Sequence, residues 1–117
     1  MSFHFCSHAW EVRDLEDGTS VTLANRDLAQ ENLACFVEDL CNIVRESGRP
    51  NLYLDFDRVG LIDTSTLGLF PELHRQIQES GGKLALVDLN RPLYEMFETA
   101  GLTSILDVRP RDAVLAY

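Results

Sequence analysis

Two short apolar segments constrain the fold of this chain more than any other feature. Asn51–Phe56 and Lys83–Asp88 carry nearly continuous apolar side chains, which is typical of strands that are covered on both faces. Each of them follows a stretch with apolar residues at helical spacing and a stop made of serine and glycine. Because strands that alternate with helices favour parallel pairing, the sequence predicts an α/β fold with a mostly parallel or mixed sheet.

Three segments have the periodicity of amphipathic helices. The first ends at Ser47-Gly48, and the second ends at Ser80-Gly81-Gly82. The third begins with Asn90 as N-cap and has Pro92 in its first turn. The apolar stripe of the first helix consists of Leu33, Phe36, Val37, Leu40 and Val44.

The two ends of the chain complete the order of elements. Residues 9–15 and 20–23 alternate between apolar and polar, and Asp17-Gly18 between them predicts a two-residue turn, so we expect a β-hairpin. Ile105–Val108 is predicted as the last strand, and residues 111–117 as a closing helical turn. The order is then β-β-α-β-α-β-α-β, in a single domain over residues 1–117 with its core at roughly 9–110.

The net charge and the hydropathy of the chain indicate which partners it can bind and in which cellular compartment it is expected. The 117 residues have a formal net charge of −9, and such an acidic surface repels phosphate backbones, which argues against nucleic-acid binding. No apolar run approaches the roughly 20 residues that span a bilayer, and the N-terminus lacks a signal-peptide pattern. We therefore expect a cytoplasmic protein without membrane insertion, and its cysteines Cys6, Cys35 and Cys41 as reduced thiols.

One polar segment, Asp63-Thr64-Ser65-Thr66-Leu67-Gly68, combines a carboxylate with hydroxyls between an extended piece and the second helix. Asp63, Thr64 and Ser65 are all residues that cap helices, so helix capping is one interpretation. The other is that a phosphate on Ser65 or Thr64 is tolerated near the backbone N–H groups of a helix start. No nucleotide-binding glycine motif or nucleophile elbow accompanies the segment.

The run LYLDFDRVGLIDTSTLGLF, followed by GGKLALVDLNRPLYEMFETAGLTSIL, resembles the STAS family of anti-sigma factor antagonists and related domains of anion transporters. The pieces that carry the resemblance are Leu54-Asp55-Phe56, the Asp63–Gly68 segment, Gly81-Gly82-Lys83 and Ala100-Gly101-Leu102. The resemblance implies one mixed, mostly parallel sheet of four to five strands, with helices packed mainly on one face.

The resemblance also implies a function. In antagonists of this family, a serine kinase of the histidine-kinase-like ATPase type, which is itself the anti-sigma factor, binds the unmodified protein and phosphorylates the loop. Ser65 matches the acceptor, with Thr64 as the alternative, and residues 63–68 match the partner-binding segment. This chain is then not an enzyme and holds no cofactor or metal, since MgATP belongs to the kinase.

Two residues depart from the family pattern, and a second function stays open. Thr66 stands where the family usually has glycine, and Pro71 falls inside the predicted second helix. Proline predicts either a bend just past the loop or a helix that becomes regular only near Pro71. The alternative function is a constitutive STAS scaffold in a sensing or transport complex, in which Thr64 and Ser65 only cap a helix. The sequence leaves the oligomeric state open.

Overall fold

The computed structural model describes residues 10–28, 33 and 35–111. Within these residues, five strands form one sheet in the order of the chain. The first pair of strands is antiparallel and the next three pairs are parallel, which confirms the predicted mixed, mostly parallel sheet. The strands are β1 (Glu11–Asp14), β2 (Gly18–Ala24), β3 (Asn51–Arg58), β4 (Leu84–Leu89) and β5 (Asp107–Pro110).

In the described part of the chain, four α-helices connect the parallel strands. Gly48 ends the first helix with a φ of 75°, as its position after Ser47 predicts. None of the described helices has the length and the apolar character that crossing a membrane requires. The helices are α1 (Phe36–Ser47), α2 (Thr64–Leu67), α3 (Leu69–Glu79) and α4 (Arg91–Thr99).

Four phenylalanines join the helices to the sheet. Phe36 of α1, Phe70 of α3 and Phe97 of α4 are fully buried, as is Phe56 of β3. The ring centroid of Phe70 lies 6.0 Å from that of Phe36, 5.8 Å from that of Phe56 and 5.5 Å from that of Phe97. Each such pair contributes about 0.5–1.5 kcal/mol beyond the burial of its area. The three long helices therefore pack on one face of the sheet, as expected.

The outer face of the sheet corrects the expectation that the strands are covered on both faces. In β3, Leu52, Leu54 and Phe56 point to the helices and are buried, whereas Tyr53 and Asp55 are only half-buried. The sequence pattern misleads because outward-facing Tyr53 stands between Leu52 and Leu54 and makes the run nearly continuous in apolar residues. The helices of the described chain cover one face only.

The hairpin turn is displaced by one residue from its predicted place. The backbone N–H of Leu15 donates to the carbonyl of Gly18 at 2.8 Å, so Glu16 and Asp17 are the central residues of the turn. Gly18 already belongs to β2, where an added Cβ would lie 2.5 Å from the carbonyl oxygen of Asn51. Glycine stands there because β3 approaches closely, and not because the turn requires it.

Three further expectations concern the last strand and the cysteines. The last strand begins at Asp107, because the N–H of Ile105 donates to the carbonyl of Leu102 and keeps that residue in a helical turn. Cys41 is a free, buried thiol as predicted, but Cys35 is disulfide-bonded, so the prediction of a reduced thiol is wrong there. Cys6 and the predicted helical turn beyond Arg111 lie outside the described residues.

Candidate functional site

Asp63 caps the one-turn helix α2. Its backbone is extended, with φ −88° and ψ 169°, and its Oδ1 accepts from the N–H of Thr66 at 2.8 Å and from the Thr66 hydroxyl at 2.6 Å. These two donors, the hydroxyl first, lower the pKa of the Asp63 carboxyl below its usual value. Asp63 is therefore a carboxylate at neutral pH, and it determines the geometry of the loop.

Thr64 and Ser65 take no part in the cap. Both are exposed, and the helix start is capped by the Asp63 side chain. Ser65 contributes its backbone carbonyl, which accepts from the N–H of Gly68 at 3.2 Å. The capping interpretation is thus correct for Asp63 and wrong for the two hydroxyls that follow it.

Thr66 and Leu67 lie on the inner side of the same turn. Thr66 is fully buried and Leu67 is 6% exposed, so Asp63, Thr64, Ser65 and Gly68 form the exposed part of the predicted partner-binding segment. Among the described residues other than glycine, Asp88 alone has a positive φ. Thr66 therefore needs none of the conformational freedom of the glycine it replaces, and its hydroxyl is used to fix Asp63.

Pro71 is accommodated because the predicted second helix is two helices. Residues 64–67 form α2, and α3 begins at Leu69, so Pro71 is the third residue of α3. The N–H groups of a first helical turn have no partner within the helix, and a proline there removes no hydrogen bond. The helical conformation begins at Thr64 and is interrupted at Gly68, so the helix is regular before Pro71 and the interruption lies just past the loop.

An open apolar groove of about 550 Å³ adjoins the loop. Leu61, which is 60% exposed, contributes to one wall together with Thr64 and Leu67. The other wall is a stripe of α4 formed by Pro92, Glu95, Met96, Thr99 and Ala100. Thr64 thus faces the groove, whereas Ser65 does not line it.

Asn90 holds both walls of the groove. Its Oδ1 accepts from the N–H of Leu93 at 2.8 Å and caps α4, as the sequence predicts. Its Nδ2 donates to the carbonyls of Val59 at 3.3 Å and Gly60 at 3.0 Å, in the chain that leads to Asp63. The second contact was missed by sequence reasoning, because no local pattern marks a bond across 30 residues.

Asp55 and Asp88 lie at the carboxyl ends of neighbouring parallel strands. Burial raises the pKa of Asp55 above its ordinary value, and the negative charge of Asp88 adds to this. Arg111 donates to the carbonyls of Asp57 at 3.0 Å and Asp88 at 3.4 Å and lies 3.3 Å from the Asp57 carboxylate. Within the part of the chain that the structure describes, no group of three acidic, histidine or cysteine residues is placed to hold a metal ion.

Several solved structures share this fold. A Thermotoga maritima protein assigned to the anti-sigma factor antagonists is 20% identical, with a TM-score of 0.70 over 86% of this chain and 85% of that one. The anti-sigma factor antagonist SpoIIAA in its unphosphorylated form is 14% identical, with a TM-score of 0.68 over 92% and 93% of the two chains. The phosphorylated form of Bacillus SpoIIAA matches with a TM-score of 0.56.

A transporter contains the same fold. The murine anion transporter Slc26a9 is 20% identical, with a TM-score of 0.65 over 88% of this chain but only 18% of the transporter. No curated protein sequence is significantly similar to the chain. The family model of the STAS domain matches residues 12–113, which is nearly the whole chain. The chain therefore belongs to the STAS domain family.

Proposed function

We propose that this STAS domain is a non-catalytic, cytoplasmic regulator of the anti-sigma factor antagonist type. Its partner is a serine kinase of the histidine-kinase-like ATPase type that also acts as the anti-sigma factor, and Ser65 is the phosphate acceptor, with Thr64 as the alternative. The observation that carries the proposal is the exposed pair of hydroxyls beside a helix cap that Asp63 supplies. A modification of either hydroxyl leaves that cap in place.

A phosphate on Ser65 acts on the partner interface more than on the fold. It adds a charge of about −1.5 to −2 beside the Asp63 carboxylate. In the free protein this charge is hydrated, because Ser65 is exposed. Under a docked partner the phosphate must lose water next to a like charge, and a loss of about 3 kcal/mol weakens binding more than 100-fold. Residues 63–68 thus form a docking segment, and phosphorylation of Ser65 weakens its binding to the partner.

The chemistry of the transfer belongs to the partner in this proposal. ATP and magnesium are bound by the kinase, and this chain supplies only the hydroxyl that receives the phosphoryl group. The solved unphosphorylated and phosphorylated forms of SpoIIAA support the comparison, since that antagonist has the same fold.

Phosphorylation is tested with purified protein, MgATP and each kinase of this type encoded near its gene, followed by mass spectrometry. We expect one phosphate in the peptide that contains Ser65, reduced in Ser65→Ala and unchanged in a Ser104→Ala control on another exposed turn. Absence of phosphate from both Ser65 and Thr64 with every such kinase would contradict the proposal.

Binding of the same kinases tests the switch. Ser65→Asp is expected to weaken binding of the kinase at least 10-fold, whereas the matched charge in Ser104→Asp leaves it unchanged. Equal binding by the wild type and Ser65→Asp would instead favour a constitutive scaffold in a sensing or transport complex. That second function is supported by the neighbour within the anion transporter Slc26a9.

A further inference from the structure

The groove beside the docking segment has a regular wall. Pro92, Glu95, Met96, Thr99 and Ala100 occur at i, i+3, i+4, i+7 and i+8, so they form one stripe along α4 and its C-cap. The core stripe of the same helix, with Leu93 and Phe97, points the other way. At a rise of 1.5 Å per residue, the groove wall is about 12 Å long, which is a little over two helical turns.

Hydrogen bonds within the chain hold both walls of the groove in place. The Asn90 side chain caps α4 and bonds the carbonyls of Val59 and Gly60, next to Leu61. Asp63 fixes the turn that carries Thr64 and Leu67. An occupant of a preformed groove loses less free energy to ordering the protein than one that must build its own site.

The lining of the groove indicates an apolar occupant. Leu61 is one of two large hydrophobic residues that are strongly exposed in the described chain, and it lies at the groove. The groove is open, and no described residue that lines it is a buried charged one, whereas pockets for small polar ligands place a few polar groups around the ligand. An apolar surface that is shaped as an open groove between helices fits the apolar side of another helix.

The charges around the groove favour an occupant that carries positive charge. Among the described residues that line the groove, Glu95 is the one that is ionisable. Its ion pair with Arg91 is 4.0 Å long and both side chains are more than half exposed, so water screens it strongly. Exposed Asp63 at the start of α2 adds negative charge, in a chain with a net charge of −9. Cationic residues beside an apolar centre complement this surface.

We propose that this groove docks an amphipathic helix of a partner protein, with two successive turns of apolar side chains flanked by lysine or arginine. Leu61, Leu67 and Met96 contact the apolar side chains, and Glu95 faces the cationic flank. The proposal does not depend on phosphorylation of Ser65, because Ser65 does not line the groove, whereas the alternative acceptor Thr64 does.

The test begins with a displayed library of 20-residue helical peptides, selected on the full chain. A labelled peptide from the selection is then titrated by fluorescence anisotropy against the wild type and four variants. We expect Leu61→Asp to weaken binding about 30-fold, as for a central interface residue, and Glu95→Lys about 5-fold with a loss of salt dependence. Glu98→Lys on the same helix but off the groove, and Ser65→Asp, are expected to change binding less than 2-fold.

Four outcomes would overturn the proposal. They are a selection that enriches no peptide, a selection of acidic or unpatterned peptides, equal binding by Leu61→Asp, and a wild-type dimer that Leu61→Asp converts to monomer, which would make a second copy the occupant. Circular dichroism of each variant shows whether it has folded. The peptide-binding experiment contains no kinase, so its results are the same whether or not Ser65 is a phosphate acceptor. The groove proposal and the phosphorylation proposal can therefore be refuted independently of each other.

Discussion

Asn90 offers a direct test of how the loop before the candidate site is held. One side chain performs two tasks, since its Oδ1 caps α4 through the N–H of Leu93 and its Nδ2 bonds the carbonyls of Val59 and Gly60. Asn90→Ala removes both tasks. Asn90→Ser keeps an oxygen that caps a helix equally well, but its hydroxyl is too short to reach the carbonyls.

The expected magnitudes follow from those bonds. Loss of an N-cap costs about 1 kcal/mol. Each of the two bonds to a carbonyl contributes about 0.5–1 kcal/mol, at the low end of the usual range because the carbonyls are partly exposed to water. Asn90→Ala is then destabilised by about 2–3 kcal/mol and Asn90→Ser by about 1–2 kcal/mol. In a domain of 117 residues, 1 kcal/mol corresponds to about 4 °C in Tm.

Urea unfolding measures the two free energies, and amide hydrogen exchange separates the two tasks. We expect faster exchange at Leu93 in Asn90→Ala only, because that N–H loses its acceptor, and faster exchange at Gly60 and Leu61 in both variants. Asn42→Ala, within α1, is the control and is expected to change little. Wild-type stability in Asn90→Ser would refute the role of the bonds to the carbonyls, and equal exchange of Leu93 in both variants would refute the separation of the tasks.

Two further predictions concern the sheet. Burial, and to a smaller extent the charge of Asp88, raises the pKa of Asp55 above its ordinary 3.8, so ionisation of Asp55 lowers the stability of the fold as the pH rises above 3.8. Asp55→Asn is therefore expected to raise Tm at pH 7 and to lose this gain below about pH 3.8, and thermal scans that show no gain at pH 7 would contradict an unfavourable ionisation of Asp55. Gly18→Ala would place a Cβ 2.5 Å from the carbonyl oxygen of Asn51, and we expect a loss of about 2–3 kcal/mol because backbone atoms must move. A urea midpoint equal to that of the wild type would show that the two strands separate at little cost.

The features that the sequence predicted correctly are local ones. The Asn90 cap and the end of α1 at Gly48 depend on side chains within a few residues of the helix ends, and both are observed. The order of strands and helices follows from periodicity. The errors occur where a distant element intervenes. Gly18 was assigned to a turn, although its small size is required by β3.

In the candidate site too, local features were predictable from the sequence and long-range contacts were not. The sequence identified the segment from Asp63 to Gly68 and the hydroxyls of Thr64 and Ser65. It gave no indication that Thr66 is the residue that binds the Asp63 carboxylate, because three neighbouring residues are equally able to cap a helix and burial decides among them. It also gave no sign of the groove, whose walls come from residues about 30 positions apart in the chain.

The element order, the helix ends and the place of the loop follow from the sequence, since they arise from propensities and hydrogen bonds within one or two turns of chain. Packing decides which hydroxyls face water, which face of the sheet the described helices cover, and that α4 stands beside Leu61 to form a groove. These properties depend on contacts between segments that only the packed core brings together. The composition shows that the surface is acidic, but only packing places Glu95 beside an apolar groove, where its charge can favour a cationic partner.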